Sequence, residues 1–341
     1  VKVLIRVDAG PTIGIGHAMR CTTLALELAH SGHAVEIVTD GLPSNIRDRL
    51  AHPRILVGGR QPQELVTDLA DGPTAEHPDV IVVDGYHLGP EVERLAAADQ
   101  ILLLIDDNGE LPVEHAHLVL NQNLHADRSL YPSIRSDTVL LAGPPYALLR
   151  SDMLSLDRPE PDAAGRRLVV TLGGADPARL TRPILTGLLE DPRNTIVVAI
   201  GPANLDRSDI ENLASASEGR ISIDPGDLLT GFRSADIAVI GGGTTLWEVA
   251  FLGLPAVAAI VADNQLFGTY AAASRGFVAA VDVRAESDAQ GILAAVRSLL
   301  DDADRRRQMT CSGRTVFDGR GAARVVEALQ ERTSAAVRGV S

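Results

Sequence analysis

Short β-branched runs alternate with alanine- and leucine-rich stretches along the whole chain, and this alternation predicts an α/β protein built from parallel βαβ units. Two further observations divide it into two doubly wound, Rossmann-like domains. The chain has 341 residues, more than a single hydrophobic core usually serves. Residues 152–167, DMLSLDRPEPDAAGRR, carry two prolines, several charges and no apolar periodicity, which is the composition of a linker. The expected domains are residues 1–151 and 167–320, followed by a C-terminal helical tail at 321–341. Parallel sheets of this kind bind ligands outside the carboxyl ends of their strands, so the two domains are expected to face a central cleft.

The elements follow in order. In the first domain strands are expected at Val1–Val7, Ala34–Thr39, Val80–Asp84, Ile101–Asp106, Leu118–Asn121 and Thr138–Ala142, where apolar, β-branched residues cluster between turn residues. Helices fit Gly16–His30, Glu64–Ala70 and Glu91–Ala98. The second series has strands at Leu168–Leu172, Thr195–Ala199, Ile221–Ile223, Ile237–Gly241, Ala256–Ala259 and Phe277–Val281. Its helices fit Arg179–Leu189, Leu205–Ala214, Leu228–Ser234, Thr245–Leu252, Leu266–Arg275 and Asp288–Leu300.

Composition excludes several function classes. The 31 basic residues against 45 acidic ones leave a net charge of −14, which repels nucleic acid and anionic lipid. Lys2 is the one lysine, so a Walker lysine, a kinase lysine and a pyridoxal-phosphate Schiff base have no candidate inside the chain. Cys21 and Cys311 are too few for a disulfide scaffold or a four-cysteine zinc site and suit a reducing cytoplasm. No apolar run approaches the roughly 18 residues of a membrane span, and Val1–Val7, interrupted by Lys2 and Arg6, is expected to be a strand rather than a signal peptide. A cytoplasmic protein, monomeric or weakly dimeric, is expected.

The chemistry collects at glycine turns between strands and helices. After the first strand, Asp8-Ala9-Gly10 leads to Gly14-Ile15-Gly16-His17, and a helix start of this kind presents free N–H groups to an anion such as a diphosphate. Asp40, after the second strand, is placed to act as a ribose acid, although Met19 stands where a dinucleotide fingerprint wants a third glycine. The helix dipole at His17 favours an imidazole able to accept a proton, and the alternative is a surface or turn-capping histidine. Gly241-Gly242-Gly243-Thr244-Thr245 repeats the device in the second domain, with Glu248 one turn on as a ribose-hydroxyl acceptor or as partner of Thr245 in a capping box. Gly173-Gly174-Ala175-Asp176 is a third such turn. Asp263-Asn264-Gln265 offers amides to sugar hydroxyls or an acetamido group, or else an N-cap. Asp106 and Asp107 follow a strand, where neighbours point to opposite faces, so one of them is expected to cap the turn rather than join the other on magnesium. His115 and His117 have no third ligand nearby and fit a solvated loop better than zinc.

Arg6-x-Asp8, Gly14-x-Gly16-His17-x-x-Arg20, Asp84-x-Tyr86, Asp106-Asp107, Gly173-Gly174-x-Asp176, Gly242-Gly243-x-x-x-Glu248 and Asn264-Gln265 together resemble one family in order and spacing. It is that of the UDP-2,4-diacetamido-2,4,6-trideoxy-β-L-altropyranose hydrolases and the spore-coat polysaccharide proteins grouped with them, similar in turn to MurG-type glycosyltransferases. The match runs from Val1 to about Gln265. The resemblance implies a GT-B fold with nucleotide bound by the second domain and His17 catalytic in the first. Gly14, Gly16, Gly173, Gly174, Gly242, Gly243, Thr244, Thr245 and Glu248 are then expected on the nucleotide, and Asp8, Arg20, Tyr86, Asp107, Asn264 and Gln265 on the sugar. The expected reaction is hydrolysis of a nucleotide sugar, without metal or cofactor. Glycosyl transfer to a hydroxyl is the alternative, and a non-catalytic sugar-nucleotide-binding subunit is the third reading. A non-hydrolysing epimerase would want further acidic and histidine partners that the motifs do not supply.

Overall fold

The computed structural model describes every residue except 11–14, 59–76, 96–99, 158–164, 202, 225–227, 286–287 and 340–341. The chain divides into two compact units, residues 1–150 with 319–341, and residues 151–318. In the first, β1 (Lys2–Val7), β2 (Ala34–Val38), β3 (Ile55–Val57), β4 (Val80–Asp84), β5 (Ile101–Ile105), β6 (Leu118–Asn121) and β7 (Val139–Ala142) form a parallel sheet in the order β3-β2-β1-β4-β5-β6-β7. In the second, β8 (Arg167–Thr171), β9 (Thr195–Val198), β10 (Ile221–Ile223), β11 (Ile237–Gly241), β12 (Ala256–Ile260) and β13 (Val278–Asp282) form another, in the order β10-β9-β8-β11-β12-β13. The winding direction reverses between β1 and β4, and again between β8 and β11. Doubly wound sheets open a crevice at the carboxyl ends beside such a reversal.

Sheets covered on both faces need continuous apolar strands, and the central ones comply: VIVVD of β4 and ILLLI of β5 are buried at every position. Val3, Ile5, Val7, Val82 and Leu103 pack on one face with Ala18, Cys21, Leu24, Ala25 and Leu28 of helix Gly16–His30. Leu4, Ile81, Val83, Leu102 and Leu104 pack on the other with Leu88, Val92 and Leu95. Among the described residues, no helix is long and apolar enough to cross a membrane.

Most expected elements form within a residue or two of their anticipated bounds. The expected helix Glu64–Ala70 lies outside the described residues. Helix Ser44–Arg49 and edge strand β3 were not anticipated, being short and, in β3, partly exposed at each position. The helix expected from Arg179 starts at Thr181, because Asp176 and Arg179 take positive φ angles of 43° and 55° and the Asp176 carboxylate accepts the amides of Leu180 and Thr181. The segment 321–341 does not stand apart as a tail. Helix Gly321–Gly339 returns to the first unit, where Val325, Val326 and Leu329 join the core beneath helix Gly16–His30. That approach is close, since a β-carbon on Gly321 would collide with the backbone of Ala147.

Gly321→Ala is therefore expected to push the last helix off its seat. The loss should be about 1–3 kcal/mol in urea denaturation, the usual cost of overpacking against an unyielding backbone. An unchanged midpoint would mean that the helix start is free to shift.

Candidate active site

The helix after β1 begins at Gly16, and its first turns carry His17 and Arg20, three residues apart and so on one face. Both reach Asp84, which ends β4 on the other side of the switch point and has no solvent exposure. Arg20 grips Asp84 with two hydrogen bonds of 2.7 Å, from Nε and Nη2, and its Nη1 donates to both oxygens of Asp107 at 2.8 and 2.9 Å. Tyr86 donates its hydroxyl to Asp107 at 2.8 Å, and Asn123 donates at 2.7 Å. The Tyr86 ring also meets His17 edge-on, with centroids 4.9 Å apart.

Electrostatics fix the protonation of this cluster. Burial by itself would raise the Asp84 carboxyl, but the charge of Arg20 and the hydrogen bonds of Arg20 and His17 hold it far below the carboxylate range. Asp107 is held down in the same way, with Arg20 outweighing burial. Burial disfavours the Arg20 cation, yet the two carboxylates drive its pKa well upward, and burial together with Asp107 pushes the Tyr86 phenol above its ordinary range. An ionised Asp84 only accepts, so His17 Nδ1, 2.6 Å away, carries the proton and donates. Arg20 Nη2, 3.1 Å from that nitrogen, then contributes its charge rather than a bond. In a neutral ring Nε2 then holds the lone pair, and it has no partner among the described residues. This is how a carboxylate prepares a histidine as a base. The Asp106–Asp107 pair separates as expected: Asp106 caps the turn by accepting the amides of Asn108, Gly109, Glu110 and Leu111.

Asp8, at the end of β1, belongs to a neighbouring network. It accepts from fully buried Arg6, from the Asp40 amide at 2.7 Å and from His87 Nε2 at 2.9 Å, while Arg6 also donates to Glu91 at 2.9 Å. Asp40 itself lies at the rim, 3.6 Å from Arg6. Burial would raise the Asp8 carboxyl, but Arg6, the Asp40 amide and His87 bring it down to about 2.

In the second unit the glycine turns again flank the switch point. Gly241 ends β11, and the helix Thr245–Leu252 follows with Thr244 at its N-cap and no capping bond from the Thr244 side chain. Gly243 is exposed, while Thr244, Thr245 and Glu248 are partly so. A β-carbon on Gly242 would collide with the Thr269 hydroxyl and come within 3.0 Å of Gln265 Cβ. Gln265 Oε1 accepts the Val261 amide at 2.9 Å, and neither Asp263 nor Asn264 caps a helix with its side chain; Asn264 is exposed. Beyond β8, Gly173 takes φ +92°, and Gly174 lies so close to Gly201 that a β-carbon on the latter would be 2.6 Å from the Gly174 carbonyl oxygen.

The structure thus joins His17, Arg20, Tyr86 and Asp107 in one cluster, with Asp8 in the network beside it. Gly242 and Gln265 come together in the second unit, next to the turn that carries Gly243, Thr244 and Thr245. Gly16 opens the helix of His17, and Gly14 lies outside the described residues. Asp84, noted in the sequence as a strand end, is the hub, and Asn123, His87 and Thr269 were not anticipated. Among the described residues, no group of three or more His, Cys, Asp or Glu is arranged to hold a metal ion.

No family model matches the chain. It is 21% identical over 268 residues to a UDP-2,4-diacetamido-2,4,6-trideoxy-β-L-altropyranose hydrolase of Campylobacter jejuni, covering 78% of this chain and 93% of that one. It is 20% identical over 239 residues to a spore coat polysaccharide biosynthesis protein of Bacillus subtilis, covering 68% and 69%. An uncharacterised protein of Methanocaldococcus jannaschii matches at 20% over 279 residues, 78% of this chain, and the chain spans only 56% of that protein's length. Among solved structures, UDP-GlcNAc 2-epimerase of Neisseria meningitidis superposes with a TM-score of 0.71 at 16% identity, covering 97% of this chain and 100% of that one. MurG of Acinetobacter baumannii gives 0.65 at 16%, covering 97% and 99%. The fold is therefore GT-B, two parallel-sheet α/β domains, as the sequence resemblance implied.

The low Asp8 pKa carries a pH dependence. Stability from this network is complete above about pH 4 and is lost as pH falls towards about 2, because the unfolded carboxyl then takes up the proton first. Asp8→Asn is expected to lose about 2 kcal/mol or more against wild type at pH 7. That gap should narrow in urea denaturation at pH 2.5, and a gap independent of pH would mean that the pairing with Arg6 does not stabilise the ionised form.

Proposed function

We propose that the chain hydrolyses a nucleotide-activated amino or deoxy sugar, of which a UDP-sugar is the first choice, releasing free sugar and nucleoside diphosphate. The observation that carries this reading is the His17–Asp84 pair clamped by Arg20 at the switch point of the first sheet. The C. jejuni relative, a hydrolase of a UDP-sugar, supports the substrate class.

In this mechanism His17 Nε2 takes a proton from water as the water oxygen bonds to the anomeric carbon. The bond from that carbon to the diphosphate oxygen breaks, and the diphosphate leaves with the electron pair. Asp84 stabilises the imidazolium that forms, and Arg20 keeps Asp84 ionised and aimed. In the second unit the amides of Gly243, Thr244 and Thr245 are assigned to the diphosphate and Glu248 to the ribose, with Gly242, whose own amide is spent on the Ala259 carbonyl, shaping the turn, and Gly173 and Gly174 at the neighbouring turn. One activated base and, among the described residues, no carboxylate placed as a nucleophile imply a single displacement with inversion. Glycosyl transfer stands as the second reading, favoured by the fold shared with MurG. It replaces the water with an acceptor hydroxyl at the same base. Incubation with a panel of UDP-, dTDP- and CMP-sugars, with and without acceptor alcohols, separates the two by whether released nucleotide requires the acceptor.

Two outcomes test the mechanism. In ¹⁸O-water the label should enter the anomeric oxygen of the sugar, and proton NMR taken before mutarotation should show the inverted anomer. His17→Asn should cost about 10²–10⁴-fold in kcat with nucleotide affinity nearly intact. Label in phosphate, initial retention, or a His17→Asn enzyme within a few-fold of wild type would each remove His17 from this role.

Glu248→Ala is expected to weaken UDP by about 1–3 kcal/mol in calorimetry through lost charged hydrogen bonds, and inorganic phosphate hardly at all. Equal affinity for UDP in both proteins would leave Glu248 without a part in ribose binding.

A further inference from the structure

The two strands that flank the switch point exchange partners. His17, which follows β1, is held by Asp84 at the end of β4, and His87, which follows β4, is held by Asp8 just past the end of β1. Val7 pairs in register with Asp84, so the two carboxylates stand on adjacent strand ends. The first pair is assigned above, and the second has no assignment.

His87 is not simply a core histidine. Its side chain is 45% exposed, whereas Asp8 is 5% and Arg6 is 2% exposed. Asp8 is ionised, so it accepts and the Nε2 of His87 must carry the proton. A neutral ring then presents the lone pair of Nδ1, which has no partner among the described residues. The ring lies over Gly85, whose added β-carbon would be 3.0 Å from Cε1 and 3.3 Å from Nδ1. Its orientation is set from behind by Arg6 and Glu91 through Asp8, with the Asp40 amide and the Thr39 hydroxyl on the same carboxylate. His87 also follows directly on Tyr86, the residue in ring contact with His17.

We infer that His87 is a second ligand-contacting residue of the first unit, accepting through Nδ1 a hydrogen bond from a hydroxyl or acetamido N–H of the sugar. The inference rests on the nucleotide-sugar reading and adds a specificity contact to it. His87 is fixed by Asp8 as His17 is fixed by Asp84, but it binds rather than removes a proton. A sugar with a donor at that position gains from it, and free nucleotide does not.

Two variants divide the roles of the ring. In His87→Gln the side-chain amide stands near the place of Nε2, so a donor to Asp8 survives and the Nδ1 acceptor is lost. In His87→Asn the amide stands near the place of Nδ1, so the acceptor survives and the bond to Asp8 is lost. With UDP-N-acetylglucosamine, UDP-glucose and dTDP-glucose as probes, the ratio of nucleotide Kd to nucleotide-sugar Kd is measured for the probe that binds tightest. His87→Gln is expected to reduce that ratio about three- to tenfold, the worth of one hydrogen bond, and His87→Asn less than about twofold. The opposite order would mean that His87 only braces Asp8, and would overturn the inference. Ring-nitrogen NMR of the wild-type protein distinguishes this failure from failure of the function itself. Shifts of both His17 and His87 with a nucleotide sugar, but not of His87 with UDP alone, support the contact. A shift of His17 alone removes the contact and leaves the function standing, and silence of both rings with every probe removes both.

Discussion

Arg20 carries a full positive charge into a place where only 4% of its surface meets water, and a lone charge so placed would be untenable. Two carboxylates from two different strand ends, Asp84 and Asp107, make it tenable, and they in turn are kept ionised by it. The result is a bridge in which one guanidinium holds two mutually repelling carboxylates, so that loss of Arg20 would leave both without their shared cation. Tyr86 and Asn123 are fastened to one carboxylate and His17 to the other, so the orientation of the imidazole follows from a charge balance set up beneath it. An imidazole mounted on a loop alone would lack this rigidity.

The fold was legible because a parallel sheet covered on both faces writes continuous apolar runs into the sequence, as in ILLLI of β5, and because the glycine turns punctuate them. His17 and Arg20 were legible too, since a helix places residues three apart on one face. Their common partner was not: Asp84 lies 64 residues beyond Arg20, and only the strand order β1-β4 brings them together. His87 and Asn123 come from turns whose direction depends on what packs behind them, and neither sits in a motif of its own. The amides at Asn264 and Gln265 read alike in sequence, and the fold separates them by using Gln265 to hold the Val261 amide. Edge strand β3 is hard to read because its three apolar residues are too few to show an alternation, although Ile55 and Val57 pack against the core and Leu56 is exposed.

The two units solve the placement of their loops differently. In the first, ion pairs fix the side chains at the strand ends. In the second, close approaches to glycine constrain the turns themselves: Gly174 lies against the backbone of Gly201, and Gly242 lies against the side chains of Thr269 and Gln265. Glycine is demanded at Gly201 and Gly242 by these neighbours, whatever else the turns bind.

The path of the chain sets an order of assembly. The second unit is a single continuous segment, 151–318, whereas the first is closed by a helix that is synthesised after it. At 5–20 residues per second, a ribosome needs on the order of 10–30 s to make the intervening segment. Throughout that interval the seat of Val325, Val326 and Leu329 beside helix Gly16–His30 stays uncovered on the nascent amino-terminal half. The half of the molecule that carries His17 is thus begun first and completed last, and a stretch of apolar surface waits for its own carboxyl-terminal helix while the other half is already able to fold.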